Sequence, residues 1–591
     1  MKSAKQVSAG SEKFSDFING NAYYVDKTRF LRPIFAYEDN IDKIKLFTRP
    51  RRFGKTLTMN MFKEFFNVNP ETPGDTSRQE RLFKGLDVMK DTEFVQKYMG
   101  QYPVVSMTLK SVFGESYEWA VQKLAAVIAD TASDFKFLRQ SQKLDDLEKS
   151  QLEIFLNVDE LLKPQNNFKI TEFLKFISKA LYKHFGRQVI LLIDEYDVPL
   201  AKAQSRGYHA QMVDFYSQFL DILKTSGDIV SKIVMTGCLK VAKNSIFTGA
   251  NNFKANTVLT ESMKFASIMG FTADETEKFL DEFDLSKYAD LVKANYDGYR
   301  FYRQEIFCPW DVCSFIGDAL EHKNEGTTED IKALNYWIGS EITSTQAIKS
   351  YVGFLSENDN QKLQDLSDGK DITITVNDSM NYDSLSLHKA NDMWSLLLHT
   401  GYLTAVQNMN NGDYKVKIPN LEIKKCFDDS IQASFMEALT ADNKNLEMLK
   451  ALSDGDNEKA RALISESLRS FVSIRVYASK SAPENFYEGF MTGILSSFGN
   501  RLSELKVEHE AGLGFANIRF RDDSTNSAMV IELKVAKDAE QAELQANKAI
   551  EQIESKEYAW QFIKKDKIPC VLAIGIVFYD KRCTVASKRL N

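Results

Sequence analysis

The chain has 591 residues, which at roughly 150 residues per domain argues against a single domain. Hydrophobic residues make up 43% and charged residues 27%, the balance of globular proteins with large cores, so disordered, collagen-like and coiled-coil chains are set aside. Lys+Arg number 75 against 82 Asp+Glu, a net charge of −7, so no overall basic field draws the chain onto nucleic acid and any such surface is local.

From the N-terminus to about residue 300, short apolar runs alternate with helix-period stretches, the pattern of a parallel sheet covered by helices. The predicted strands are Lys43–Thr48, Pro103–Leu109, Gln188–Ile193, Lys232–Thr236 and Phe265–Gly270, with amphipathic helices at Gln122–Phe137 and Ile170–His184. Val189–Ile193 is apolar at every position, as a strand covered on both faces should be. A helical middle follows, flanked by Asn/Asp-rich stretches at Ser356–Asp383 and Ala441–Asn457 that read as loops. Within it an apolar helix around Met393–Leu398 closes at Gly401 and leads to a short strand at Tyr414–Pro419, which would suit a small winged-helix-like module. Such modules bind DNA or act as structural adaptors. The basic cluster there, Lys415, Lys417, Lys424 and Lys425, is opposed by Asp413, Glu422, Asp428 and Asp429.

The last stretch reads as a helix (Glu484–Phe498), two strands around a polar turn (Asn517–Phe520 and Met529–Leu533), a helix (Glu540–Lys556) and a strand (Cys570–Phe578). Boundaries near 320 and 475 divide the chain into 1–320, 321–475 and 476–591. Six cysteines without a C-x-x-C pair and six histidines without an H-x-x-x-H pair give no zinc or disulfide framework. No h-region follows the N-terminal lysines and no run approaches about 18 apolar residues, so the expectation is a cytoplasmic chain without membrane contact.

Directly after the first strand comes Thr48-Arg49-Pro50-Arg51-Arg52-Phe53-Gly54-Lys55-Thr56, then a helix with Leu57, Met61, Phe62 and Phe65 at helical spacing. The phosphate-loop pattern G-x-x-x-x-G-K-[ST] fails here only at its first glycine, which is Arg49. Gly54 lets backbone approach a phosphate, Lys55 can reach the β- and γ-phosphates, and Thr56 can ligate Mg²⁺. Arg49, Arg51 and Arg52 either neutralise phosphate charge or form a solvated basic loop. A second apolar strand ends in Asp194-Glu195, placing Asp194 where it can hold a magnesium water shell and Glu195 where it can polarise an attacking water. Two motifs in this order point to ATP with Mg²⁺.

Tyr24-Val25-Asp26-Lys27-Thr28, Arg49–Thr56, Asp194–Asp197, Thr236-Gly237, Phe247–Asn252, Tyr296–Tyr299 and Cys308-Pro309-Trp310 together resemble the bacterial AAA-ATPase-like family that carries a C-terminal PD-(D/E)XK nuclease-like domain. The resemblance implies an α/β fold with an ASCE-type P-loop sheet in which Arg49–Arg52 replace a glycine-rich loop. It also implies that Thr236 sits in a sensor-like position near the γ-phosphate.

In the last stretch Glu532 and Lys534 are two residues apart on one strand and so face one side. A carboxylate there can hold Mg²⁺, and an ammonium beside it can orient water or stabilise a pentavalent phosphate. With Glu484 on the preceding helix, this order is similar to the nuclease-like domain over 484–580, which implies a metal site of Glu484, residue 517 and Glu532. One departure matters. Where the family has a metal-binding Asp this chain has Asn517, and Phe515 stands where the family usually has Arg. A neutral ligand removes a full charge from a hard-cation site; Glu510 or Asp522 could supply a carboxylate instead.

Two readings follow: an ATP-regulated nuclease acting on DNA or RNA, or a nucleotide-dependent switch whose nuclease-like domain recognises nucleic acid without cutting. A small-molecule kinase is disfavoured, because no acceptor-site acid or lid-arginine set stands out. A homo-oligomer is compatible with either.

Overall fold

The computed structural model describes residues 5–36, 42–240, 253–337, 355–377, 389–430, 444–471, 483–579 and 582–591, without the side chains at 253, 357, 360, 469–471, 483–486, 500 and 510. The chain divides into two units, 1–344 with 371–427, and 345–370 with 428–591. The stretch read from sequence as a middle region is thus split between them.

The first unit is built on a parallel sheet of β1 (Ile44–Thr48), β2 (Val104–Thr108), β3 (Val189–Asp194), β4 (Val230–Gly237) and β5 (Phe253–Asn256), in the order β2-β3-β4-β1-β5. β1 and β3 are buried at every position, because their runs of Ile, Leu, Val and Phe are covered by helices on both faces. The helix Lys55–Phe66 buries Met59, Met61, Phe62, Phe65 and Phe66, and the helix Lys169–Phe185 buries Ile170, Phe173, Leu174, Ile177 and Leu181. Four predicted strands stand where expected. The fifth does not: Phe265 ends a short 3₁₀ turn and Ala266–Gly270 is irregular, while the edge strand is Phe253–Asn256. Phe265, Ala266, Ile268 and Met269 are buried as core plugs, which produces an apolar run without strand geometry.

A small hairpin, β6 (Tyr299–Phe301) and β7 (Gln304–Ile306), packs under the phosphate loop, with Tyr299 edge-on to Phe53 at 4.9 Å between ring centroids. Residues 371–427 add an antiparallel sheet of β8 (Ile372–Thr375), β9 (Thr404–Asn410) and β10 (Asp413–Lys417), ordered β8-β10-β9, beside the helix Ala390–Thr400. That sheet corrects the loop reading of Ser356–Asp383, as does the helix Glu357–Ser367 in the second unit, capped by the Ser356 hydroxyl and anchored by Leu363 and Leu366. A helix at Lys444–Asp454 likewise replaces part of the predicted 441–457 loop, burying Met448, Leu449 and Leu452. In both helices a thin apolar stripe among Asn, Asp and Glu suffices once a neighbour covers it.

The second unit holds β11 (Leu502–Ala511), β12 (Gly514–Asp522), β13 (Ser527–Val535), β14 (Cys570–Tyr579) and β15 (Arg582–Arg589), paired in chain order. All pairs are antiparallel except β13–β14, which the helix Ala539–Ser555 joins as a parallel crossover. Met529, Ile531 and Leu533 of β13 share one core with Phe490, Met491 and Ile494 of the helix Pro483–Ser496, where Tyr487 stacks on Phe578 at 4.0 Å. Ala528 and Val530 share another core with Ile550 and Ile553 of the crossover helix.

Candidate functional site

The carboxyl ends of β1, β3 and β4 meet in the first unit. Because β4 lies between β1 and β3, the loop after β1 and the acid at the end of β3 flank the end of β4. The Asp194 carboxylate accepts from Thr56 Oγ1 at 2.6 Å and from the hydroxyl of Thr236, the penultimate residue of β4. Glu195 follows with φ +52°, a left-handed conformation that is uncommon outside glycine, and turns its carboxylate to within 3.5 Å of Lys55 Nζ. Lys55 also donates to the carbonyls of Arg49 and Pro50, at 3.3 and 3.2 Å. Gly54, at φ +81°, is the N-cap of the helix Lys55–Phe66, no side chain caps it, and space beside its Cα is open. First-turn amides without a side-chain cap make a natural anion site.

Electrostatics support that reading. Burial disfavours the Lys55 ammonium, yet its surroundings, Cys238 and the carboxylates of Glu195, Asp194 and Asp197, raise its pKa and hold it charged. The Cys238 thiol itself is pushed up to about 12 by burial, so the carboxylates are the charged partners. Asp194 is raised, chiefly by burial and then by Glu195, against the hydrogen bonds from Thr236 and Thr56. Asp197 is pushed up to about 6 by burial and by Glu195. Its Oδ2 accepts the amides of Cys238 and Leu239, at 3.0 and 2.8 Å, which fixes the end of β4.

A cavity of about 610 Å³ opens here, lined by Arg51, Lys55, Thr56, Glu195, Lys110 and Trp310 among others. Its size, the charged Lys55 and the hydroxyl-plus-carboxylate pair Thr56 and Asp194 fit a nucleotide with a hard divalent cation. Of the three arginines, Arg51 and Arg52 line the cavity and are half-buried. Arg49 is buried, donates to the carbonyls of Thr48, Asn256 and Phe265, and is lowered to about 10 by burial, so it braces the loop. Arg52 stacks on Trp310 at 4.4 Å and donates to the Tyr336 carbonyl at 2.7 Å. Asn251 and Asn252 lie outside the described residues.

The second unit also carries an acid near the end of a strand. Glu532 is 6% exposed and accepts from Gln552 Nε2 at 2.6 Å, while Lys534 donates to Gln552 Oε1 at 2.8 Å and lies 3.7 Å from Glu532. Asn517 uses both ends of its amide. Its Oδ1 accepts from the Leu533 amide at 2.9 Å, and its Nδ2 donates to Glu488 Oε2 at 3.2 Å. Burial raises Glu488, against the Asn517 hydrogen bond, with a further rise from Glu508. Glu532, Lys534 and Asn517 are thus neighbours around the Leu533 backbone. The side chains of Glu484 and Glu510 lie outside the described set, and Asp522 is committed to Arg501 at 2.9 Å and to Ser524. These residues fit a hard cation less well than those of the first unit, because the Asn517 amide occupies Glu488 and brings no charge.

Four contributors escaped the sequence reading as site residues: Asp197, Cys238, Glu488 and Gln552. Glu488 was within reach of pattern reasoning, since it lies four residues after Glu484 on the same helical face. Asp197 stood in plain view in Asp194-Glu195-Tyr196-Asp197, but its amide acceptors on β4 are a tertiary fact.

Residues 8–247 match the model of a predicted AAA-ATPase family, and residues 482–588 match that of the PD-(D/E)XK nuclease superfamily. A curated protein of Azotobacter chroococcum mcd 1, described as an uncharacterized protein in the vnfD 5' region, is 23% identical over 442 residues, which cover 73% of this chain and 71% of that protein. The chain therefore carries an AAA-ATPase-like domain and a nuclease-superfamily domain. No helix among the described residues is long and apolar enough to cross a membrane.

Proposed function

We propose that the chain binds and hydrolyses ATP with Mg²⁺ at the first site, and that its C-terminal domain engages DNA or RNA under control of that turnover. The observation that carries the ATPase reading is the Asp194 carboxylate held jointly by Thr56 and Thr236, with Glu195 facing Lys55. The strand order supports an ASCE-type arrangement, and Thr236 supports the sensor-like role. In this reading the first-turn amides, Lys55 and Arg51 bind the phosphates, Thr56 and Asp194 hold the cation, and Glu195 orients the attacking water. The helix and three-stranded sheet of 371–427 support a winged-helix-like adaptor. Phosphate release measured with wild type and Lys55→Ala tests the assignment; equal turnover in both overturns it.

A specific observation favours a second reading of the C-terminal domain, recognition without cleavage. An Asp at 517 would face Glu488 with like charge and would need a cation between them, whereas Asn517 satisfies Glu488 by donating a hydrogen bond. Labelled DNA and RNA incubated with Mg²⁺ or Mn²⁺ decide the matter. Cleavage by wild type that is lost in Glu532→Ala restores the nuclease reading, and binding without cleavage supports the recognition reading.

A further inference from the structure

Away from the nucleotide cavity, two acids are buried together behind the phosphate loop. Asp311, on the helix Pro309–Glu325, is 0% exposed, and Glu422, on the helix that begins at Leu421, is 4% exposed. Glu422 Oε1 accepts the amides of Tyr336 and Trp337, the second at 2.9 Å. Neither oxygen of Asp311 nor Glu422 Oε2 has an ordinary donor in place. The two carboxyl groups face each other, and the Cys308 thiol lies beside Asp311. Two bare carboxylates cannot be buried in contact without a counter-charge or a proton. A proton on Glu422 Oε2, donated to Asp311, satisfies both and leaves one negative charge, which the Arg52 guanidinium favours electrostatically.

The pair lies one link from the phosphate loop. Arg52 donates to the carbonyl of Tyr336, whose amide is held by Glu422, and it stacks on Trp310, the neighbour of Asp311. Cys308 Sγ lies 3.7 Å from the Arg52 carbonyl. On the other side, Gly401 (φ +94°) backs onto the loop so closely that a Cβ there would lie 2.9 Å from Pro50 Cβ and 3.3 Å from the Trp337 ring. The 371–427 segment thus holds Pro50 and Arg52 from two directions.

We propose that Asp311 and Glu422 share one proton and form a positioning pair through which the 371–427 segment holds the phosphate loop in its nucleotide-binding shape. This rests on the ATP-binding reading above. Burial, followed by the charge of Asp311, pushes Glu422 up to about 9, and burial pushes Asp311 up to about 6, so at neutral pH the pair keeps its proton. The other ionisable groups facing it are Cys308, Cys313, Tyr296, Tyr299 and Tyr336, with Arg52 as the cation and Asp318 on the far side of Tyr336. Burial raises Cys308 and the three tyrosines, so Glu422 is the member that loses its proton first on the alkaline side.

The test is the affinity of the full chain for a fluorescent ATP analogue with Mg²⁺ at pH 7.5 and pH 9.5. The triphosphate is fully ionised at both. Wild type should bind about tenfold more weakly at the higher pH, as the second buried charge displaces Tyr336 and Arg52. Glu422→Gln, whose amide donates to Asp311 at every pH while its oxygen keeps both backbone amides, should give a shallower profile, left only with the titration of the cavity-lining Lys27, lowered to about 8 by burial. Coincident profiles for wild type and Glu422→Gln overturn the pair. Should Glu422→Gln not fold, Asp311→Asn serves in its place, since its amide donates to Glu422 and no shared proton is needed. Should wild type bind no nucleotide at pH 7.5, the ATP reading fails by itself, and thermal midpoints judge the pair: a fall between the two pH values in wild type only supports it, and parallel curves overturn it.

Discussion

The two units each place an acid near the end of a strand within a parallel pair, Asp194 on β3 and Glu532 on β13, and then surround it differently. Asp194 is held by two hydroxyls, Thr56 and Thr236, which can turn toward a cation or a phosphate oxygen without leaving a buried group unsatisfied. Glu532 is held by the side-chain amide of Gln552, and the neighbouring Glu488 by that of Asn517. The first acid is held by groups that can exchange partners, while Glu532 Oε1 and Glu488 Oε2 each accept from a side-chain amide. The difference in partners is what the proposed contrast, turnover in one unit and recognition in the other, rests on.

The largest expected effect comes from removing one acid at a time. If Glu195 orients the attacking water as proposed, Glu195→Gln should lower ATP turnover about 10²–10⁴-fold while leaving nucleotide affinity in place, because the phosphate contacts remain. Glu532→Gln should leave turnover unchanged. Phosphate release and nucleotide titration read both, and a Glu195→Gln protein that turns over normally breaks the contrast.

The contrast was only partly legible in the sequence. Gly54-Lys55-Thr56 and Asp194-Glu195 are local signals, so their meeting at one sheet edge follows from strand-loop-helix order. The orientation of Arg49 into the interior does not, because a guanidinium bonded to three carbonyls from three segments depends on tertiary packing. The strands β11 and β15 lie at the sheet edges, and residues such as Glu504, Lys506, Glu508, Lys588 and Arg589 mask their period. Asn517 was visible as a departure and Glu488 by its spacing from Glu484, but the hydrogen bond that joins them spans 29 residues and is a tertiary fact.

An intermediate effect separates the units by pH. Asp197 titrates near 3.8 when unfolded and is pushed up to about 6 in the fold by burial and Glu195. Its raised value means that the folded state holds the proton better, so this contribution to stability is full below about pH 3.8 and is lost as pH rises through about 6. The loss amounts to at most ~3 kcal/mol. Asp197→Asn, which keeps an oxygen for the Cys238 and Leu239 amides, should reduce that slope in thermal melts between pH 4 and 7, leaving the part that Asp311, also raised to about 6, contributes. A slope left unchanged by the substitution assigns it to another group.

The smallest effect is the one that would turn the second site into the first. Asn517→Asp replaces the donor that occupies Glu488 with a like charge, while its remaining oxygen can still accept from the Leu533 amide. Two carboxylates then compete for protons, and Glu488, already raised by burial, should rise further. A divalent cation relieves that repulsion, so Mn²⁺ should bind the variant about tenfold more tightly than wild type, ~1.4 kcal/mol. The gain should shrink toward acid pH, where protons displace the metal. Calorimetric titration of Mn²⁺ into both proteins, each with Asp194→Asn to remove the carboxylate that would hold a cation in the first site, isolates the difference. Equal affinities would mean that Glu532 and its neighbours set the metal site without residue 517, and the neutral amide would then not explain a lack of cleavage.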